Sequence, residues 1–202
     1  VARNLPRFGM PETYVCKLRY STNIQIALSP FGNVATRTFR VNSLFDPDQA
    51  LGGEQPRFYD QMAAVYGKYQ VLGTKISVSG AAVDRPSGNR SPVQLWVLLS
   101  TDGSTTPNLS DYQESSYCKK TLLSTDAGAR EVVHYCNPSK FLGYPNSYDD
   151  VLVSSFSGSP SQLAYFHIGV ANLDFQTEDT GPQYLNVTMD FTVNNAEFAK
   201  NA

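Results

Sequence analysis

Apolar and polar residues alternate along much of the chain with a period of two, the spacing of a strand with one buried face. The clearest case is Tyr184–Asn194. There Leu185, Val187, Met189, Phe191 and Val193 fall on one face, and Tyr184, Asn186, Thr188, Asp190 and Thr192 on the other. A slip of one residue would put all the apolar side chains in water, so this register is well specified. Further strands are predicted over Thr13–Leu28, Val34–Asn42, Tyr69–Ala81, Val93–Ser100, Glu131–Cys136, Val151–Phe156 and Leu163–Asn172. Val93–Ser100 is apolar almost throughout, as expected of a strand covered on both faces. Turn residues at 29–33 make the first two strands read as a hairpin. Helix is minor. Met62, Val65, Tyr66 and Tyr69 have helical spacing around Asp60–Tyr66, with Gly67 to end it, and Ser110–Gln113 has the form of a capping box.

Eight strands with few helices predict an all-β fold: an eight-stranded jelly-roll β-sandwich with long inter-strand loops and one or two short helices. Residues 1–202 then form a single domain, with 1–11 as an N-terminal arm remnant and 195–202 as a C-terminal tail. The turns at 29–33, 84–91 and 173–182 are short and are expected to gather at one end of the sandwich. The connections at 43–68, 101–130 and 137–150 are long, and loops of that length are uncommon unless they are functional. In the first of them, Asp46-Pro47 and Gln55-Pro56 restrict the backbone and Asp60 can cap a turn, so an ordered loop is expected.

Composition narrows the function. The chain is 41% hydrophobic, enough for a core, but only 17% charged, against about 25% in soluble domains. Such a surface fits one that partners cover, or a β protein rich in Ser, Thr and Asn. A net charge of −2 gives no bulk signal for nucleic-acid binding. Cys16, Cys118 and Cys136 are odd in number and lack zinc spacing, so buried thiols are expected. His134 and His167 sit in strand runs with no ligand pattern, and a nucleophile–base pair of Cys118 or Cys136 with His134 has no local support. Phosphate-cradling and hydrolase motifs are absent, so neither enzyme activity nor a cofactor is expected. No metal site is expected either. The candidates for a calcium ion are the loop acids Asp46, Asp48 and Glu54, with solvated or capping acids as the preferred reading. No run approaches the ~20 apolar residues of a membrane span, so no membrane insertion is expected.

One stretch carries a specific pattern: Phe39-Arg40-Val41-Asn42-Ser43-Leu44-Phe45-Asp46-Pro47-Asp48, then Gln55-Pro56, Phe58-Tyr59-Asp60-Gln61, Tyr66, Tyr69 and Val71-Leu72-Gly73-Thr74-Lys75. It resembles a recurring stretch of circovirus-like capsid proteins, from small viruses with circular, Rep-encoding single-stranded DNA genomes. Cys16–Tyr20, Lys140–Gly143 and Ser159-Pro160 fit the same layout, so the resemblance covers most of the chain and is specific over 39–75. It implies a jelly roll and a structural capsid protein that self-assembles into an icosahedral T=1 shell of about sixty copies around a circular single-stranded DNA genome. It also implies residence in the virion, with assembly in the host nucleus. The partners would be further copies of the chain, viral single-stranded DNA and an unidentified host cell-surface receptor.

The family begins with an Arg/Lys-rich arm that serves nuclear import and packaging. Here only Arg3 and Arg7 precede the first strand. Candidate nucleic-acid contacts are therefore Arg3, Arg7, Lys17, Arg19, Arg37 and Arg40, with Lys17 and Arg19 on one strand face and Tyr14 and Tyr20 as stacking platforms. Candidate subunit contacts are Asp46, Pro47, Gln55, Pro56, Phe58, Tyr59, Tyr112, Tyr144 and Tyr148. The alternative is a soluble β-sandwich module that binds carbohydrate or another ligand. A cupin-type metalloenzyme would need a histidine set that two distant histidines do not supply.

Overall fold

Strand pairing decides how these segments assemble. The computed structural model describes residues 11–27, 34–50, 54–81, 93–104, 109–124, 128–144, 149–173 and 182–198. In one antiparallel sheet the order is β1 (Thr13–Ala27), β9 (Pro182–Phe198), β3 (Tyr66–Gly80) and β6 (Arg130–Cys136), with the short β7 (Val153–Ser155) against the start of β3. In the other it is β2 (Ala35–Arg40), β8 (Tyr165–Asn172), β4 (Val93–Ser100) and β5 (Cys118–Leu123). Every pairing is antiparallel, and the two interleaved four-strand orders are those of a jelly roll.

The pairing corrects four local expectations. β1 and β2 are not a hairpin: β1 pairs with β9 from Thr13–Ala196 to Ala27–Pro182, and β2 pairs with β8 in the opposite sheet. The 101–130 connection contains a strand, β5, with Lys119 and Lys120 exposed and Leu123 buried. Solvated lysines are what an edge strand carries, and they erase the apolar alternation that would announce it. In Val151–Phe156 the strand is shorter than expected: a 3-10 turn, Asp150–Leu152, takes its first two residues and β7 only the next three. Residues 195–198 belong to β9 rather than to a tail.

α1 spans Tyr59–Val65, α2 Leu109–Glu114 and α3 Pro138–Phe141. Tyr66 leaves α1 with extended backbone and starts β3, so Gly67 and Tyr69 are strand residues. At the start of α3, Asn137 accepts from the Lys140 backbone N–H at 3.0 Å, with Pro138 behind it.

The core lies between the sheets. The apolar face of β9, from Leu185 to Val193, is entirely buried, together with Leu18, Ile24 and Ile26 from β1 and Phe39, Phe166, Ile168, Leu95 and Val97 from the opposite sheet. A smaller cluster covers the outside of the second sheet, where Trp96 stacks on Tyr112 of α2 with ring centroids 4.0 Å apart. Gly169 gives the indole its bed, because a Cβ there would overlap Trp96. The largely apolar pattern of β4 thus has a cause on each face.

The strand ends also sort the connections. Ala27 faces Pro182, Gly80 faces Leu185 and Arg130, Ala35 faces Val170, and Val93 faces Asn172 and Leu123. The strand ends that flank 29–33, 84–91 and 173–182 therefore lie at one end of the sandwich. Residues 29–33, 84–91 and 174–181 lie outside the described residues.

Candidate assembly surface and nucleic-acid face

The connection after β2 is anchored in both of its described parts, 41–50 and 54–58. It turns back beside β2, the edge strand of the second sheet. Arg40 donates its backbone N–H to the Pro47 carbonyl at 2.7 Å, and Gln49 donates to Thr38 at 3.1 Å. Two ion pairs then cross the turn. Arg37 Nε donates to Asp48 Oδ1 at 3.0 Å and Arg37 Nη2 to Oδ2 at 2.9 Å. Arg40 Nη1 donates to Asp46 Oδ2 at 2.5 Å. Asn42 ties the loop to the next layer, donating to the Gln162 carbonyl at 2.8 Å and accepting from the Ala164 N–H at 3.0 Å. Thr74 donates its hydroxyl to the Val41 carbonyl at 2.6 Å. Farther on, the Arg57 N–H reaches the Arg19 carbonyl at 3.2 Å on β1, the edge strand of the first sheet. The first part thereby pairs along the edge of β2 and the second touches the edge of β1 at one residue, edges where unpaired backbone would invite wrong partners.

This architecture sorts the expected subunit contacts. Pro47, Pro56, Tyr59 and Tyr112 are buried inside the chain, so the expectation that they face a partner is corrected. Tyr59 donates its hydroxyl to the Phe156 carbonyl and packs edge-on against the Tyr69 and Phe156 rings. Asp46, Gln55 and Tyr144 are half-buried, and Tyr148 lies outside the described residues. Phe58 stands out from the loop, 57% exposed, with the Arg57 guanidinium 5.3 Å from its ring centre. Its backbone is left-handed, at φ 72°, and among the described residues it is the only non-glycine with positive φ. Phe45, Tyr117, Tyr135 and Tyr184 are further exposed aromatics that the sequence reading missed. For Tyr135 and Tyr184 the signal was there, since both occupy the outward positions of alternating strands.

The basic candidates separate in the same way. Arg3 and Arg7 lie outside the described residues. Arg37 and Arg40 are held by loop carboxylates, which makes them struts rather than free cations, and the same pairs engage Asp46 and Asp48 in place of a metal ion. Glu54 remains exposed. Among the described residues no group of three or more His, Cys, Asp or Glu side chains is placed to hold a metal. Lys17 and Arg19 do share the outer face of the first sheet, with Arg19 forked on Asp190 at 2.6 and 3.1 Å. Tyr20 points into the core, and burial pushes its phenol up to about 12, so it is no stacking platform. Tyr14 is partly exposed and stacks on Tyr66.

The histidine rings are hydrogen-bonded within the chain. His167 Nε2 donates to the Asp102 carbonyl at 2.8 Å, which leaves Nδ1 to accept from the Thr38 hydroxyl at 3.0 Å. Burial holds its imidazole below the ordinary range. His134 turns its ring nitrogens toward the Tyr117 carbonyl at 2.9 Å and the Tyr135 carbonyl at 3.2 Å, not toward a thiol. The three cysteines are free, and burial pushes the Cys136 thiol up to about 12, far from a nucleophile's range. Among the described residues no helix is long and apolar enough to cross a membrane.

No family model and no curated protein matches the sequence. Among solved structures, the chain is similar to Desmodium yellow mottle tymovirus at 13% identity, covering 100% of this chain and 97% of that one, with a TM-score of 0.47. The 60-mer BFDV capsid protein is 11% identical over 96% of this chain and 98% of that one, with a TM-score of 0.48. A semi-empty particle of the nodavirus of the giant freshwater prawn Macrobrachium rosenbergii is 8% identical over 94% and 97%, with a TM-score of 0.49.

Proposed function

We propose that this protein is a viral coat protein, structural rather than catalytic, that assembles with copies of itself into a closed icosahedral shell. The observation that carries the reading is the 41–58 loop. In the stretch whose sequence resembles circovirus-like capsid proteins, the described parts 41–50 and 54–58 are tied to the edge strands β2 and β1 and turn Phe45 and Phe58 outward. Exposed aromatics on anchored backbone lose little conformational entropy on docking, which favours repeated, symmetric contacts.

The minimal T=1 shell, with about sixty copies, is the preferred form. The short-turn end of the sandwich meets the fivefold axis, and the long loops make the twofold and threefold contacts. The shell encloses circular single-stranded DNA, with the outer face of the first sheet, bearing Lys17 and Arg19, toward the genome. The protein then resides in the virion after assembly in the host nucleus. Electron microscopy with light scattering of the purified chain tests this reading. Uniform closed particles are expected. A persistent monomer would overturn it and favour a soluble ligand-binding sandwich.

A further inference from the structure

The outer face of the first sheet carries a groove of about 480 Å³, lined by Lys17, Leu18, Arg19, Lys75, Tyr135, Asp190 and Thr192. Cross-strand register explains its make-up. Arg19, Asp190, Lys75 and Tyr135 stand in one row across β1, β9, β3 and β6, and Lys17, Thr192 and Gly73 stand in the next. The register of β3 shifts between Val71 and Gly73, and a Cβ on Gly73 would come within 2.5 Å of the Tyr135 hydroxyl oxygen and 3.2 Å of its Cζ. The phenol therefore lies down across the glycine. Tyr135 is still 62% exposed, the most of any large apolar side chain among the described residues. Asp190, the acid in the groove, is forked by Arg19, and no ion pair among the described residues engages Lys17 or Lys75. These two lysines flank β9 from either side and are offset by two residues along it, about 12 Å apart by strand spacing and rise. Tyr135 also borders a second pocket of about 370 Å³, whose lining includes Tyr117, Phe141 and Lys140.

We propose that this groove binds a segment of single-stranded nucleic acid, with a base stacked on Tyr135 and phosphates on Lys17 and Lys75. A flat aromatic face beside cations suits unpaired bases, whose π-faces are free, and not a duplex, whose bases are already stacked. The proposal deepens the shell reading and rests on it only for the identity of the cargo.

Fluorescence anisotropy of the full chain with labelled oligothymidylate, across a salt series, tests it. Binding should weaken with salt, and Lys75→Ala should lower the log–log slope by about 0.7, one phosphate's worth. Tyr135→Ala should weaken binding by about tenfold for DNA and RNA oligomers alike while leaving binding of inorganic polyphosphate unchanged. Tyr135→Phe should bind like the parent, and melting curves should show all variants folded. Equal oligomer binding by the parent and Tyr135→Ala would overturn the groove, as would a parallel loss of polyphosphate. Electron microscopy of the same samples separates the two readings. Shells with oligomer binding indifferent to Tyr135 sink the groove alone. A chain that never closes into shells, yet loses the oligomer with Tyr135→Ala, sinks the shell alone.

Discussion

Removing Asp48 should unfasten the loop that the proposed assembly depends on. Its carboxylate is nearly inaccessible, with side-chain exposure of 2%, and the Arg37 side chain opposite is 24% exposed. Asp48→Ala deletes three guanidinium hydrogen bonds and one from the Ala50 N–H, and leaves a mostly buried cation without a partner. Breaking a buried pair in this way costs about 3–5 kcal/mol, and water reaching the quarter-exposed guanidinium favours the lower end. At about 2–4 °C per kcal/mol for a chain of this size, the melting temperature should fall by about 6–12 °C. Arg37→Ala should behave similarly. The double variant should lose markedly less than the sum, because neither charge is then stranded. Urea denaturation of dissociated subunits, run as a double-mutant cycle, measures the coupling. Additivity to within about 0.5 kcal/mol would refute the strut. So would an Arg37→Ala protein that melts normally but packages less nucleic acid, since that would restore Arg37 as a contact.

Phe58→Gly should raise the melting temperature of the free subunit slightly, because glycine accepts φ 72° without the strain of about 1 kcal/mol that a side chain bears, while reducing shell yield; an increase in yield would count against Phe58 as a contact. Gly169→Ala should destabilise by about 1–3 kcal/mol by lifting Trp96 off its bed and away from Tyr112, with loss of near-UV circular dichroism from the indole; an unchanged spectrum and stability would contradict the packing. His167 makes stability fall in acid. Its folded pKa is depressed by burial, so the unfolded chain takes up the proton first as pH drops through about 6.5. The stabilisation is present above that pH and is lost below it, at up to about 1.4 kcal/mol per pH unit. His167→Gln should flatten that segment of the stability–pH curve, and an unaltered slope between pH 5 and 7 would refute the assignment.

Side-chain alternation in β9 was legible because each residue's face follows from its own position, and every apolar position there is buried. α1 was legible for the same local reason, although its exit at Tyr66 was not: the tyrosine fits either period, and pairing of β3 with β9 draws it into the sheet. β5 escaped notice because an edge strand turns its lysines to water and leaves no period to read. The hairpin expected of the first two strands failed because adjacency in sequence does not choose a sheet.

The same division holds at the candidate surfaces. Sequence placed Lys17 and Arg19 on one face, since two residues of one strand need no knowledge of any other. It could not place Lys75, Tyr135 or Gly73 beside them, because that row exists only once β1, β9, β3 and β6 are in register. Nor could it tell that Arg37 and Arg40 meet Asp48 and Asp46, a pairing made when the chain reverses beside β2. By itself, then, the sequence determined the strand faces, the paucity of helix and the motif that runs from Phe39 to Lys75. The tertiary structure decided which charges are struts and which aromatics are free, because burial and ion pairing belong to groups that only folding brings together.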